Sequence, residues 1–174
     1  SRRRHTRCAD VTGVQTCALP IYGIYRVNGN TRITPRPKDA RIVRRWEFNA
    51  LGYNAVWDLG GRLDNARLNI QPFGVQFQSG DRVQVNLFRL FDGPVTPFEI
   101  SDGVIIAPGE YWWDRVEVVY EGANLRPVVF RTEWSTGNFY RGKRLDGEAS
   151  LRVRVQPHYE FTLELERNDI DIPE

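Results

Sequence analysis

The stretch GNFYRGKR, from Gly137 to Arg144, approximates the phosphate-binding pattern G-x-x-x-x-G-K-[ST]. That loop cradles phosphate at the N-terminus of a helix, and its final hydroxyl holds magnesium. Arg144 occupies the hydroxyl position here, and the residues that follow alternate as in a strand. We therefore interpret this segment as a turn between two strands.

Two other groups of residues could do chemistry. His158 stands beside Pro157 and has no second histidine nearby in the sequence, so we interpret it as a capping or rim residue. Asp169, Asp171 and Glu174 could offer oxygen ligands to calcium, but they lack the glycine and regular spacing of a dedicated loop, and we predict a solvated loop. We expect no metal, no cofactor and no catalytic residue, because no nucleophile–base pair or matched pair of acids can be nominated. The chain is thus predicted not to be an enzyme.

The remaining candidate functional residues are charged residues that alternate with apolar ones along three segments. In EASLRVRVQ one face is apolar and the other carries Arg152 and Arg154. In YEFTLELER the charged face carries Glu160 and Glu164, and in VVFRTEWST it carries Arg131 and Glu133. Antiparallel pairing would place glutamates opposite arginines, and each such pair contributes about 0.2–1 kcal/mol. This Arg and Glu ladder is either a salt-bridged wall or a selectivity lining for an anionic or sugar solute.

The same period-two pattern extends along the chain, with breaks rich in Gly, Asn, Asp and Pro. It predicts an all-β, antiparallel meander of about seven long strands and no helix. The predicted strands are 40–57, 62–78, 82–91, 110–121, 126–136, 145–156 and 159–167. The apolar phase flips near Pro72 and Gly74, which predicts a β-bulge. The join from Asp92 to Gly109 is too long for a hairpin and is expected to cross an end of the sheet.

The first 21 residues do not fit this pattern. VTGVQTCALPI, Val11–Ile21, resembles the conceptual translation of a common short-read sequencing adapter, and Ser1–Arg7 matches the upstream part of that adapter in the same frame. We therefore expect residues 1–21 to derive from adapter DNA, and residues 22–174 to be the native part of the chain, whose true N-terminus is absent.

Setting that segment aside changes the charge and the cysteine count. Both cysteines lie in it, and so do four arginines and Asp10, which leaves 20 basic and 21 acidic residues. The remaining chain has no basic excess, so we expect no nucleic-acid partner. It also has no thiol for a disulfide, a nucleophile or a metal.

Two architectures fit the predicted sheet. In a soluble sandwich or lipocalin-like barrel the apolar face meets a protein core, whereas in an outer-membrane barrel it meets lipid and the charged face lines the lumen. Strands of about 10–12 residues suit a tilted membrane span. Aromatic residues near strand ends suit interfacial girdles. The predicted girdle residues are Trp57, Trp112, Trp113, Tyr120, Tyr140 and Tyr159.

The segment from Phe77 to Pro173 resembles the C-terminal region of a family of bacterial outer-membrane proteins. The pieces that carry the resemblance, in order, are FQSGDRVQV, PFEI, GVIIAPGEYWWDRVEV, RPVVF, STGNFYRGKR and QPHYEFTLELERNDIDIP. Those proteins join a carbohydrate-binding family-nine-like sandwich to a C-terminal β-barrel domain of unknown function. The resemblance implies that residues 22–174 are part of the C-terminal β-barrel domain and that the sandwich domain is absent. It also implies that 107–111 and 137–142 lie at strand boundaries and that more strands follow Glu174.

Two functional hypotheses follow. The first is a wall segment of a Gram-negative outer-membrane β-barrel, with an anchoring or passage role linked to the absent glycan-binding domain. Its partners would be outer-membrane lipid and glycans held by that domain, and its location would be the bacterial cell outer membrane. The alternative is a soluble extracellular β-sandwich that binds carbohydrate, in which Val153, Leu163 and Phe130 would be buried between two layers.

Overall fold

The computed structural model describes residues 23–38, 41–101, 104–155 and 158–172. The segment expected to derive from adapter DNA, 1–21, lies outside these residues. Every regular element in the described ranges is a β-strand, which confirms the predicted all-β class. No helix in these ranges is long and apolar enough to cross a membrane.

Eleven strands are found in the described ranges. Their bounds are β1 Ile24–Ile33, β2 Val43–Trp46, β3 Phe48–Asp58, β4 Leu63–Phe77, β5 Arg82–Asp92, β6 Phe98–Ser101, β7 Val104–Ile106, β8 Tyr111–Glu121, β9 Val128–Phe139, β10 Gly142–Val155 and β11 Tyr159–Asp171. All pairings are antiparallel. The main sheet has the order β1-β3-β4-β5-β8-β9-β10-β11, with β2 also paired to β4. The sheet is an open meander whose edge strands are β1 and β11.

The predicted strands agree with this sheet, and the differences have local causes. The predicted strand 40–57 is divided into β2 and β3 at Glu47, whose amide donates to Gly74 O at 2.8 Å. Strand β1 was not predicted, and its Asn28-Gly29 dipeptide is of a type that often marks turns. In the structure that dipeptide lies within the strand, and Gly29 is opposite Tyr53. The long join after Asp92 contains a small hairpin, β6–β7.

The predicted β-bulge in the second long strand is confirmed. The register of β4 against β5 shifts between Ile70 and Phe73, so Phe73 and Val75 return to the face that carries Leu68 and Ile70. The bulge allows one strand to keep its apolar residues on a single face although the sequence changes phase.

One face of the sheet is apolar and exposed. Cross-strand partners on it are apolar in row after row, for example Phe130, Leu151 and Leu163. These three side chains are 44%, 36% and 58% exposed, so they are not buried between two layers. The substantial contacts between elements in the described residues all join hydrogen-bonded strands. Other exposed members of this face are Val27, Leu51, Leu68, Ile70, Phe73, Leu87, Val116, Val118, Trp134, Phe161 and Leu165.

Two glycines on the apolar face accommodate aromatic rings. Gly147 lies opposite Trp134, and a Cβ at Gly147 would lie 2.5 Å from Trp134 Cζ3. Gly29 is covered in the same way by the ring of Tyr53, at 2.6 Å. An aromatic ring that covers a cross-strand glycine restores the packing surface that the glycine lacks.

A carboxylate clamp joins two turns at one end of the sheet. Asp81, between β4 and β5, accepts hydrogen bonds from Ser79 Oγ at 2.6 Å, from Ala123 N at 3.0 Å and from an Arg126 Nη at 2.7 Å. The Ser79 hydroxyl bond, with smaller contributions from Ala123 and Arg126, holds the pKa of Asp81 below its ordinary value despite partial desolvation. The clamp therefore fixes the β4–β5 turn to the loop between β8 and β9.

Candidate functional site

The six charged residues predicted to share a face do so. On β9, β10 and β11 the register places Arg131 opposite Ser150, and Ser150 opposite Glu164. The remaining members, Glu133, Arg152, Arg154 and Glu160, alternate in phase with these residues. We call the side of the sheet that carries them the charged face.

Direct ion pairs connect part of this ladder. Arg154 lies opposite Glu160, with Nε 2.9 Å from Oε2, and Arg152 Nε is 3.6 Å from Oε1 of the same glutamate. An Arg131 Nη lies 3.0 Å from Glu133 Oε2 on the same strand. All five side chains are about a third or more exposed, so each pair contributes at most about 1 kcal/mol.

A more deeply buried network surrounds Glu47, which is only 7% exposed. Its carboxylate accepts from Arg45 Nε at 2.6 Å and from Gln84 Nε2 at 3.1 Å, and it lies 3.4 Å from Arg82 Nε. Gln71 Nε2 donates to the Glu47 carbonyl at 2.9 Å. Alternation indicated the face that Glu47 occupies, but its burial depends on the break between β2 and β3.

A second network links three strands nearer the middle of the charged face. Arg115 on β8 forms a close ion pair with Asp146 on β10, which also accepts from Arg144 Nε at 2.7 Å. Asn86 Nδ2 on β5 donates to Glu117 Oε1 on β8 at 2.7 Å. Charged and amide side chains thus bond to one another across the face rather than to a second protein layer.

The predicted aromatic girdle divides between the two faces. Trp57, Trp112, Tyr120 and Tyr159 lie on the apolar face, close to strand ends. Trp113 lies on the opposite face because it follows Trp112 directly in β8, and it is only 9% exposed. Its ring centroid is 4.8 Å from that of Tyr140. Trp113 and Tyr140 therefore lie on a different face from the other four predicted girdle residues, and the interfacial role of the six stays a prediction.

Trp113 and Tyr140 belong to an aromatic cluster beneath the β6–β7 hairpin. Tyr140 contacts the rings of Phe98 on β6 and Tyr111 on β8, with centroids 5.9 and 5.0 Å apart. Its hydroxyl donates to Asp92 Oδ2. Desolvation, reinforced by this carboxylate, raises the pKa of the Tyr140 hydroxyl. Tyr140 also has a left-handed backbone, with φ of 50°, in the β9–β10 turn.

The β6–β7 hairpin extends over the charged face toward the last strand. A cavity of about 450 Å³ lies between it and β11, lined by Ile100, Val104, Asn168, Ile170 and Ile172. Phe98 rests on Tyr140, and Ile106 is 4% exposed. The long join between β5 and β8 therefore narrows the space over one end of the charged face.

The other sequence candidates have ordinary structural roles. Gly137–Arg144 forms the hairpin between β9 and β10, as predicted, with Tyr140 and Arg141 in the turn. His158 is exposed in the β10–β11 turn. Asp169 and Asp171 lie in β11 rather than in a loop, and Arg167 Nε donates to Asp169 Oδ2 at 2.7 Å. Within the described ranges, no group of three His, Cys, Asp or Glu residues could hold a metal ion.

No protein-family model matches this chain, and neither a curated protein nor a solved structure is similar to it. The resemblance of 77–173 to an outer-membrane family remains a prediction from the sequence. The segments 107–111 and 137–142 do lie at strand boundaries, as that resemblance implied.

Proposed function

We propose that this chain forms part of the wall of a Gram-negative outer-membrane β-barrel, with an anchoring or passage role for material bound by an associated glycan-binding domain. The supporting observation is a main antiparallel sheet with an exposed apolar face and a face of bonded charges. Lipid is a suitable environment for the apolar face, and a water-filled lumen is a suitable environment for the charged face.

Strand length supports the same function. The eight strands on the main path have 10–15 residues. A tilted membrane-spanning strand needs about 9–11 residues. Strands in globular proteins average about 5–6. The four aromatics near the ends of the apolar face lie where the interfacial girdles of a barrel occur.

The charged face supports a passive role. Its ion pairs and amide bonds tolerate water, and the β6–β7 hairpin narrows one end. The charges and the width left by the hairpin would set which solutes enter, and no chemical step is required.

Tryptophan quenching by brominated lipid tests this function. Two single-tryptophan variants of the full chain, one retaining Trp134 and one retaining Trp113, would be reconstituted into phospholipid vesicles. Trp134 lies on the apolar face and is 45% exposed, whereas Trp113 is buried on the charged face. Brominated acyl chains should quench Trp134 strongly and Trp113 weakly. Equal quenching, or a monomeric chain in buffer without detergent, would contradict the proposal.

A further inference from the structure

A polar depression lies on the charged face near the β1 edge of the sheet. Strands β1, β3 and β4 align there in three cross-strand rows. The rows are Arg32–Asn49–Gln71, Asn30–Gly52–Asn69 and Asn28–Asn54–Arg67. We call these nine positions the amide lattice. Eight of them line a cavity of about 230 Å³.

Gly52, the central position of the lattice, makes room for the amide side chains beside it. It is buried, and a Cβ there would overlap Asn69 Oδ1 and lie 2.9 Å from Asn49 Nδ2. The register of β3 shifts against both neighbouring strands beside it, between Thr31 and Arg32 on β1 and between Asn49 and Gly52 on β3. Bulges re-aim side chains, and a glycine within a strand often marks a place where another group approaches the backbone closely. At Gly52 those groups are the amides of Asn49 and Asn69.

Asn49 leaves a hydrogen-bond acceptor unused at this site. The residue is 7% exposed, and its Oδ1 is buried without a partner among the described residues. Buried polar atoms are nearly always bonded, so an exception needs an explanation. The atom has almost no accessible surface, so a ligand hydroxyl reaches it only when the Asn49 amide turns toward the depression.

The lattice also has positive charge without carboxylates. Its nine positions include Arg32 and Arg67 and no Asp or Glu. Neither arginine lies within 4 Å of a carboxylate oxygen in the part of the chain that the structure describes, and Arg67 interacts with Glu117 at longer range. The Arg67 guanidinium lies 4.2 Å from the ring centroid of Phe88, which orients it. By contrast, Arg154 at the far side of the charged face is paired with Glu160.

We propose that the amide lattice binds a hydroxyl-bearing organic anion of the sugar-acid class. A guanidinium recognises a carboxylate, and amide side chains both donate to and accept from hydroxyl groups. The exposed amides of Asn30 and Asn54, which line the depression, offer donors and acceptors to the hydroxyl groups of the anion. The inference deepens the proposed function, on which it rests, by placing a solute subsite on the face assigned to the lumen.

Calorimetric titration of the full chain in detergent micelles tests this inference, with D-glucuronate as the probe and D-glucose as its neutral counterpart. We expect glucuronate to bind about tenfold more tightly than glucose, because only glucuronate has a carboxylate for the arginines. Arg67→Gln should weaken glucuronate binding about fivefold or more. Arg154→Gln is the matched control, because it removes an arginine whose charge is already paired, and it should leave binding unchanged.

Gly52→Ala provides an independent test because its Cβ would displace the amide of Asn69 from the lattice without altering charge. Circular dichroism would show that each variant retains its β-sheet, and Gly52→Ala should abolish glucuronate binding. The inference is wrong if glucuronate binds no better than glucose, or if Arg67→Gln and Gly52→Ala both bind like the unaltered chain. Vesicle partitioning, measured separately, distinguishes the two proposals. A chain that enters vesicles but does not bind glucuronate refutes only the inference, and one that binds but stays monomeric without detergent refutes only the membrane role.

Discussion

Successive residues of β8 offer a direct test of which solvent each face meets. Val118 lies on the apolar face between Val85 and Trp134, and it is 44% exposed. Val119 lies on the charged face between Gln84 and Glu133. We predict that Val118→Arg strongly destabilises the vesicle-inserted protein, whereas Val119→Arg does not.

The expected magnitude follows from the position of Val118 along its strand. Strand β8 spans Tyr111–Glu121, so Val118 lies two residues from the central Val116. At about 3.4 Å per residue and a tilt of about 45°, Val118 lies roughly 5 Å from the bilayer midplane. Arginine on the lipid face costs about 2–4 kcal/mol at the midplane and about 0–1 at the interface. We therefore expect a cost of about 2–3 kcal/mol for Val118→Arg.

The control variant, Val119→Arg, is expected to keep its stability because position 119 lies on the charged face. Arginine at position 119 would lie opposite Glu133, and a cross-strand pair of opposite charge contributes about 0.2–1 kcal/mol. If the apolar face met water instead of lipid, Val118→Arg would be an ordinary surface substitution. It would then change the free energy of unfolding by no more than about 0.5 kcal/mol.

Urea unfolding of both variants in vesicles, followed by intrinsic fluorescence, measures the difference. The reasoning is refuted if the two variants unfold at the same urea concentration. It is also refuted if Val118→Arg yields a stable, monomeric protein in buffer without detergent.

Two further predictions concern packing and pH. Gly147→Val should cost about 1–3 kcal/mol, because its Cβ would overlap the Trp134 ring. Adding Trp134→Ala should recover part of that loss in urea unfolding, and strictly additive losses would contradict the contact. Asp81→Asn should remove about 1 kcal/mol at neutral pH, because the native carboxylate accepts three hydrogen bonds. Since the pKa of Asp81 is lowered in the folded state, this contribution is present above the ordinary pKa and is lost as pH falls through the folded pKa. Unfolding curves of the unaltered protein and the variant should therefore converge in acid, and a difference that does not change with pH would contradict the clamp.

Alternation along the chain was sufficient to predict which residues share a face. A period of two fixes the side of each residue once a strand is recognised, and the bulge at Pro72 followed from the change of phase. The same rule could have separated Trp112 from Trp113, because adjacent residues of a strand point to opposite faces. Because both tryptophans lie close to a strand end, both were instead assigned to the same aromatic girdle.

Features that depend on contacts between distant segments could not be predicted in this way. Strand β1 is recognised by its pairing with β3, which covers Gly29 with the ring of Tyr53. The burial of Glu47 requires the break between β2 and β3 to meet β4 and β5. The amide lattice exists only because bulges bring Asn49 and Asn69 around Gly52. The neutral amides of β1, β3 and β4 also give no charge signal in the sequence.

The open sheet requires a cover for its exposed apolar face and pairing partners for its edge strands, β1 and β11, which the described residues do not supply. A second layer packed on the apolar face would satisfy the first requirement but leave both edges able to pair with other chains. Additional strands that close the sheet into a barrel pair both edges and turn the apolar face toward lipid. The charged face would then enclose the β6–β7 hairpin and the aromatic cluster of Trp113 and Tyr140, which already lie on that side. One structural addition thus meets both requirements, and this economy favours the barrel over the sandwich.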